Sequence, residues 1–299
     1  MAQLNTSFKF FFLVFFCTFY FTATAQEDSS KFSFLKRGSY FDQIILDPTE
    51  SQTSVGLLKI WQSGLKADGV YIPVNIGFQQ SIMRYDLNDQ SGLEFGFAGA
   101  VFTQFTIKKV EGNTYLGEME NADYRISFLL NYKYKALSLR LRAFHTSSHL
   151  SDDYIIRNNI TEPNPGTLNY EQLDLTGSYQ FQKIRLYGGF GFVLTPNAVR
   201  DRFSTQFGFL YRKSLNSKDN FRFITGADIK LLQQNDFTPN IRTGMGIEYG
   251  NKQTTHVGFI LEYYNGHLPY SIMEYNKVNW FGASIILLRP RLNQDFQNN

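Results

Sequence analysis

The amino-acid sequence predicts an all-β chain that folds as a transmembrane antiparallel β-barrel of about 12 strands. Three observations support this fold class. The N-terminus carries an export signal, segments of about ten residues alternate between apolar and polar side chains, and short turns alternate with longer loops. Aromatic residues make up 17% of the chain, which favours strands and the aromatic girdles of membrane barrels.

Residues 1–25 are expected to be a cleaved signal peptide. Lys9 supplies a positive charge, residues 10–21 form an almost unbroken apolar run, and Ala-Thr-Ala at 23–25 resembles a cleavage site. The run is shorter than the roughly 20 residues that a membrane-spanning helix needs. Cys17, the only cysteine, lies in this leader. The mature chain is therefore expected to contain neither a disulfide nor a reactive thiol.

The mature chain divides into three parts. Residues 26–53 are predicted to form a periplasmic arm or a plug inside the barrel, 54–289 the β-barrel, and 290–299 a polar C-terminal tail. The net charge of +3 is too small to indicate a nucleic-acid partner. We expect a protein of the bacterial outer membrane in contact with membrane lipids, with both termini in the periplasm. The sequence identifies no partner protein.

The strands are predicted from the two-residue period. They are 54–62, 71–84, 92–107, 122–134, 136–148, 168–181, 183–194, 202–213, 220–232, 238–250, 253–264 and 277–289. The longer loops are predicted at 108–121, 149–167, 195–201 and 265–276. A soluble β-sandwich would also alternate, but export and the alternation of short and long connections favour a membrane barrel.

Charged side chains of both signs are interleaved on the predicted inward faces. They are Arg84, Glu94, Arg125, Lys133, Arg140, Arg142, Asp174, Arg185, Arg222, Asp228, Lys230, Arg242, Glu248 and Glu262. Ion pairs across the lumen are expected, because a closed wall leaves these groups only one another and trapped water. About 12 strands also enclose a narrower lumen than a porin, so a wide pore is not expected.

The stretch 137–149 carries the most informative chemistry. Its apolar residues alternate with serine and arginine, and the same count places His145, Ser147 and His149 on the apolar, lipid-facing side. Pairing this strand with the next one sets His145 beside Glu171, with Asn169 on the same face. Ser147 is then a candidate nucleophile, His145 its base, and Glu171 or Asn169 the group that orients the imidazole.

Two other interpretations remain open for this region. Polar residues where a strand ends can simply satisfy backbone groups. A metal site could instead use His145 and His149 with Asp152 and Asp153, although two histidines four residues apart on a strand are far apart for one ion. Asp152 and Asp153 alone are a weaker candidate for calcium, the only cofactor indicated, which would be compatible with a lipid-acting enzyme.

The His-x-Ser strand resembles two groups of outer-membrane acyl hydrolases. The outer-membrane phospholipase A family carries His-x-Ser with an asparagine on the next strand, and the outer-membrane lipid A deacylase carries it with a glutamate. The resemblance implies a dyad of His145 and Ser147, with Asn169 matching the phospholipase and Glu171 the deacylase. In both groups an asparagine follows the serine, whereas this chain has Ser148.

A broader resemblance covers nearly the whole mature chain. The segments 40–48, 145–154 (His-Thr-Ser-Ser-His-Leu-Ser-Asp-Asp-Tyr), 239–249 and 264–270 are similar to a bacterial envelope family described as a domain of unknown function. This resemblance implies the barrel and no activity. The sequence thus predicts an outer-membrane barrel, with a serine acyl hydrolase as the leading function and a non-enzymatic narrow channel or scaffold as the alternative.

Overall fold

The computed structural model describes residues 31–62, 69–109, 115–161, 168–197 and 199–292. The predicted signal peptide lies outside these ranges. The strands are β1 (Phe32–Phe34), β2 (Thr53–Gln62), β3 (Gly69–Asn88), β4 (Ser91–Lys109), β5 (Tyr115–Tyr134), β6 (Leu137–Leu150), β7 (Leu168–Phe181), β8 (Ile184–Val193), β9 (Phe203–Ser214), β10 (Phe221–Leu232), β11 (Asn240–Tyr249), β12 (His256–His267) and β13 (Lys277–Leu288). One short helix, α1 (Asp152–Arg157), and two single 3₁₀ turns (Gln233–Asn235 and Ser271–Met273) complete the described elements.

Strands β2 to β13 form a closed antiparallel barrel. Each strand pairs with the next one along the chain, and β13 pairs with β2, where Trp280 lies opposite Ile60. The predicted fold class of 12 strands is confirmed. The predicted loop 108–121 is wrong over its second half, because β5 begins at Tyr115 and pairs with the end of β4. None of the described helices is long and apolar enough to cross a membrane.

The wall separates an apolar outside from a polar inside. On β5, Tyr124, Ile126 and Phe128 are exposed on the outer surface, whereas Asp123 and Arg125, which alternate with them, are buried in the barrel. This alternation is the two-residue period of a strand. The predicted inward charges form ion pairs, but these join adjacent strands rather than crossing the lumen as expected from the sequence. They are Arg84–Glu94, Arg142–Asp174, Arg222–Glu248 and Arg242–Glu262.

The two ends of the barrel differ. At one end, short turns join β3 to β4, β5 to β6 and β7 to β8, and we call this the short-turn end. At the other, long-loop end, residues 268–276 fold back over the lumen. Tyr270 and Met273 pack there in an apolar cluster with Trp280, and the Ser271 amide donates a hydrogen bond of 2.9 Å to Asp123. The lumen is therefore covered at the long-loop end.

Residues 39–52, which we call the inner segment, lie among the inward side chains of the barrel. Asp47 and Glu50 are completely buried. The Glu50 carboxylate pairs with Arg140 at 3.1 Å and Arg289 at 2.7 Å, and Asp47 pairs with Lys230 at 2.6 Å. Further contacts join the segment to the wall, because Arg185 donates hydrogen bonds to the carbonyl oxygens of Asp42 and Gln43.

The inner segment leaves the lumen beside Gly77 of β3. A Cβ atom at this position would lie 2.6 Å from the amide nitrogen of Gln52. Only glycine allows so close an approach of two backbones. The Gly77 amide also donates a hydrogen bond of 3.1 Å to the Thr53 hydroxyl at the start of β2. This position therefore fixes where the chain passes from the lumen into the wall.

Candidate functional site

The candidate site lies on the outer surface at the long-loop end of β6 and β7. His145, Ser147 and His149 alternate with Thr146 and Ser148, which are fully buried on the inward face. The inward hydroxyl of Ser148 donates a hydrogen bond to the Asp123 carboxylate and accepts one of 3.1 Å from the Ile272 amide. These buried partners fix the register of the strand and so keep the histidines and Ser147 outside.

The register between β6 and β7 agrees with the prediction. His145 lies opposite Glu171, and Ser147 lies opposite Asn169. The His145 Nδ1 atom is 2.9 Å from Glu171 Oε1, and the Thr195 hydroxyl donates a hydrogen bond of 2.8 Å to Glu171 Oε2. The side chains of His145 and Glu171 are 47% and 46% exposed. An oriented imidazole is therefore present on the outer surface.

Ser147 has a different partner from the predicted one. Its Oγ atom lies 2.8 Å from Nε2 of His149, and no hydrogen bond joins it to His145 in the described structure. Both histidines are two residues from Ser147 on the same face, so either is within reach. The His149 ring also makes an edge contact with Tyr124, with ring centroids 5.9 Å apart. The site thus contains one serine between two imidazoles.

The two predicted orienting residues have different surroundings. Glu171 contacts His145, as described, whereas Asn169 accepts a hydrogen bond of 3.4 Å from Asn197 through its backbone carbonyl. Thr195 was absent from the predicted site, because no local pattern connects a loop residue with β7. His149 was predicted only as a metal ligand, although the strand period already placed it beside Ser147.

Asp152 and Asp153, the predicted calcium ligands, form the first turn of α1. Ser151 caps this helix by accepting a hydrogen bond of 3.1 Å from the Tyr154 amide, and acidic residues there favour the helix dipole. Successive helical side chains point about 100° apart, which does not favour one shared ion. Within the described residues, no group of three or more His, Cys, Asp or Glu side chains could hold a metal. Calcium stays a prediction from the sequence.

Comparison with known proteins places the whole barrel in a family. The family described as "Protein of unknown function (DUF1207)" matches residues 22–286. The chain belongs to this family. The match confirms the predicted resemblance to an envelope family described as a domain of unknown function. No curated protein matches the sequence significantly.

Solved structures of outer-membrane barrels are similar to this chain, and the two phospholipase structures share its fold. Outer membrane phospholipase A from Escherichia coli has a TM-score of 0.52 and 12% identity, with 79% of this chain and 96% of that chain covered. The calcium-bound dimer of the Salmonella typhi phospholipase has a TM-score of 0.51 and 12% identity, covering 79% and 90%. The Ralstonia pickettii toluene transporter TbuX has a TM-score of 0.36 and 9% identity, covering 79% and 77%. The fold is that of Gram-negative outer-membrane proteins, whose surroundings are lipid.

Proposed function

We propose that the protein is a serine acyl hydrolase that acts on phospholipid or lipid A in the outer leaflet. The observation that carries this proposal is the exposed cluster on the outer wall. His145 is held by Glu171, and Ser147 lies on the same face within hydrogen-bond distance of a second imidazole. A nucleophile, a base and an orienting carboxylate are the groups that ester cleavage requires.

In the proposed reaction, the Ser147 oxygen attacks the carbonyl carbon of the lipid ester while an imidazole accepts the hydroxyl proton. The same imidazole returns the proton to the departing alcohol, and a water molecule then cleaves the acyl–serine ester. We assign His145 as the base because Glu171 orients its imidazole. Ser147 reaches His145 by rotating about χ1 away from His149, and catalytic hydrogen bonds often tighten only when substrate binds.

Asn169 is the second candidate for the orienting residue in this proposal. It lies opposite Ser147 on β7, so its amide is the other candidate for orienting an imidazole. We propose that the long-loop end is extracellular, and the cluster would then lie at the outer leaflet. Membrane lipids would then reach Ser147 from the side without entering the lumen.

The alternative is a non-enzymatic barrel, either a narrow channel or a scaffold. The inner segment and its ion pairs with Arg140, Arg289 and Lys230 occupy the lumen, which supports a closed barrel over an open pore. It also supports the plug rather than the arm as the proposed role of residues 26–53.

The test compares Ser147→Ala with the wild type in refolded protein, using phospholipid and lipid A as separate substrates. We expect Ser147→Ala to lower ester cleavage by roughly 10³-fold or more, as removal of a catalytic serine does. Labelling by a fluorophosphonate should disappear in the same variant. Ser217→Ala, in an exposed turn at the short-turn end, is the matched control and should keep both activities.

Two results would reject the proposal. One is a rate of cleavage by the wild type that is no higher than the rate of Ser147→Ala, both for phospholipid and for lipid A. The other is fluorophosphonate labelling that persists in Ser147→Ala. Ion conductance across a planar bilayer together with either result would favour the channel.

A further inference from the structure

The wall of the barrel is incomplete on one side at the short-turn end. Pairing between β2 and β3 ends at Ser54 and Asn75, because β2 begins at Thr53. β3 continues to Asn88, and its next strand partner on this side is β1, which pairs with residues 83–85. Residues 76–81 pair with β4 on their other side but have no strand partner on this one, and the Leu35 amide donates a hydrogen bond of 3.0 Å to the Ile82 carbonyl. Since adjacent strands lie about 4.8 Å apart, a missing strand separates β3 from β13 by about 10 Å.

A cavity of about 500 Å³ fills this interruption. Its β3 lining alternates between inward residues, such as Gln79, and outward ones, such as Phe78, which is exposed on the outer surface. The end of β13 contributes outward Leu287 and inward Leu288 in the same way. Because both faces of both strands line it, the cavity passes through the wall. Its outer rim includes the exposed apolar side chains of Phe78 and Leu287 and adjoins the surface that faces lipid.

The lining of the cavity is positively charged. Five cationic side chains and one carboxylate line it among the described residues: Lys36, Arg37, Arg212, Arg289, Arg291 and Asp42. Arg289 pairs with Glu50, and Arg212 and Arg291 pair with Glu248. In the described structure Lys36 and Arg37 are exposed and make no ion pair. Two positive charges therefore remain available to a ligand.

Buried polar atoms without partners also surround this cavity. They are Ser51 Oγ, Ser81 Oγ, His256 Nε2 and Arg291 Nε within the described part of the chain. Ser51, Ser81 and His256 are each at least 96% buried. His256 Nδ1 is already 2.9 Å from the Thr254 carbonyl, so Nε2 has to find its own partner. Unpaired buried polar groups are costly, and a polar ligand that these side chains reach by small rotations towards the cavity would satisfy them.

We propose that this cavity, which we call the wall site, binds the anionic headgroup of a phospholipid in the leaflet at the short-turn end. The phosphate lies with Lys36 and Arg37 and the buried polar atoms, and the acyl chains leave past Phe78 and Leu287 along the outer wall. A lipid fits because it joins an anionic head to an apolar tail, as the site joins unpaired cationic side chains to apolar ones. The wall site is independent of Ser147, which lies at the opposite end of the barrel.

The experiment uses phosphatidylglycerol with a photoreactive acyl chain, added to full-length protein in phosphatidylcholine vesicles. A matched photoreactive phosphatidylcholine is the control lipid, and labelled peptides are identified by mass spectrometry. We expect labelling of residues 76–82 and 285–289 by phosphatidylglycerol and far less by phosphatidylcholine. Lys36→Gln/Arg37→Gln should reduce it roughly thirtyfold, because each cation near an anionic lipid contributes about a factor of five.

The matched control is Lys183→Gln/Lys218→Gln, which removes two exposed charges from the same end of the barrel and should leave labelling unchanged. Heat-dependent gel mobility verifies that each variant is folded. Equal labelling by both lipids, or labelling confined to other strands, would overturn the proposal. So would competition by glycerol 3-phosphate as strong as that by phosphatidylglycerol, which would indicate a soluble anion instead. A loss of label in the lysine control would show nonspecific electrostatic attraction and would also overturn it.

Discussion

Replacing Glu50 by Gln should destabilise the barrel, because this buried carboxylate joins the inner segment to the wall. Glu50 pairs with Arg140 and Arg289, and Arg142 lies 3.9 Å away. Burial raises the pKa of the Glu50 carboxyl, but the three guanidinium groups outweigh burial and lower the pKa from 4.5 to about 2. At 1.36 kcal/mol per pKa unit, the charged form is favoured in the folded state by about 3 kcal/mol.

The glutamine keeps the size of the side chain but removes its charge. We therefore expect the free energy of unfolding at pH 7 to fall by about 3 kcal/mol, which agrees with the 3–5 kcal/mol typical of breaking a buried ion pair. Because the folded-state pKa of Glu50 is depressed, its stabilisation is complete above about pH 4.5 and is lost as the pH falls towards 2. Glu50→Gln should lack this part of the pH dependence.

Urea unfolding in lipid vesicles, followed by gel mobility and tryptophan fluorescence, measures this difference at pH 7 and at pH 2. Asp153→Asn, which changes an exposed carboxylate on α1, is the control and should shift the unfolding free energy by less than about 0.5 kcal/mol. The reasoning fails if Glu50→Gln and the wild type have the same free energy of unfolding at pH 7. It also fails if the two proteins differ as much at pH 2 as at pH 7.

Three further predictions concern the site and the lumen. His145→Ala should lower ester cleavage by about 10²-fold or more, whereas His149→Ala should retain most of it, and the reverse order in a lipid hydrolysis assay would assign His149 as the base. Thr195→Val should lower kcat by about fivefold, since one hydrogen bond that orients Glu171 is lost; an unchanged kcat would remove Thr195 from the site. A Gly-Ser linker in place of residues 40–51 should raise single-channel conductance in planar bilayers, and equal conductance would show that the inner segment is not the barrier that limits ion flow.

The sequence predicted the wall well because each strand obeys a local rule. The period of two assigned inside and outside faces, and the bounds of β7 were predicted without error. The register of His145 with Glu171 followed from counting along two strands. These features depend only on residues near one another in sequence or on adjacent strands, where alternation and hydrogen-bond pairing leave few alternatives.

Contacts that depend on a choice between equally spaced partners, on loops or on closure of the barrel could not be predicted. Ser147 has a histidine two residues away on each side, so spacing alone could not choose between His145 and His149. Thr195 comes from a loop with no period. The inner segment has no period either, and its position depends on charges such as Arg140 and Lys230 that meet only after closure.

The inner segment also constrains the order in which the barrel can assemble. Its Glu50 pairs with Arg289, which follows the last strand, while β13 closes the barrel by pairing with β2. We therefore expect the inner segment to be in place before, or together with, the last strand. Until then, Arg140 and Arg289 lack their carboxylate, and the unfinished sheet carries excess positive charge on its concave face. The segment thus acts as an internal counter-ion around which the sheet can curl, so closure and charge neutralisation become a single step.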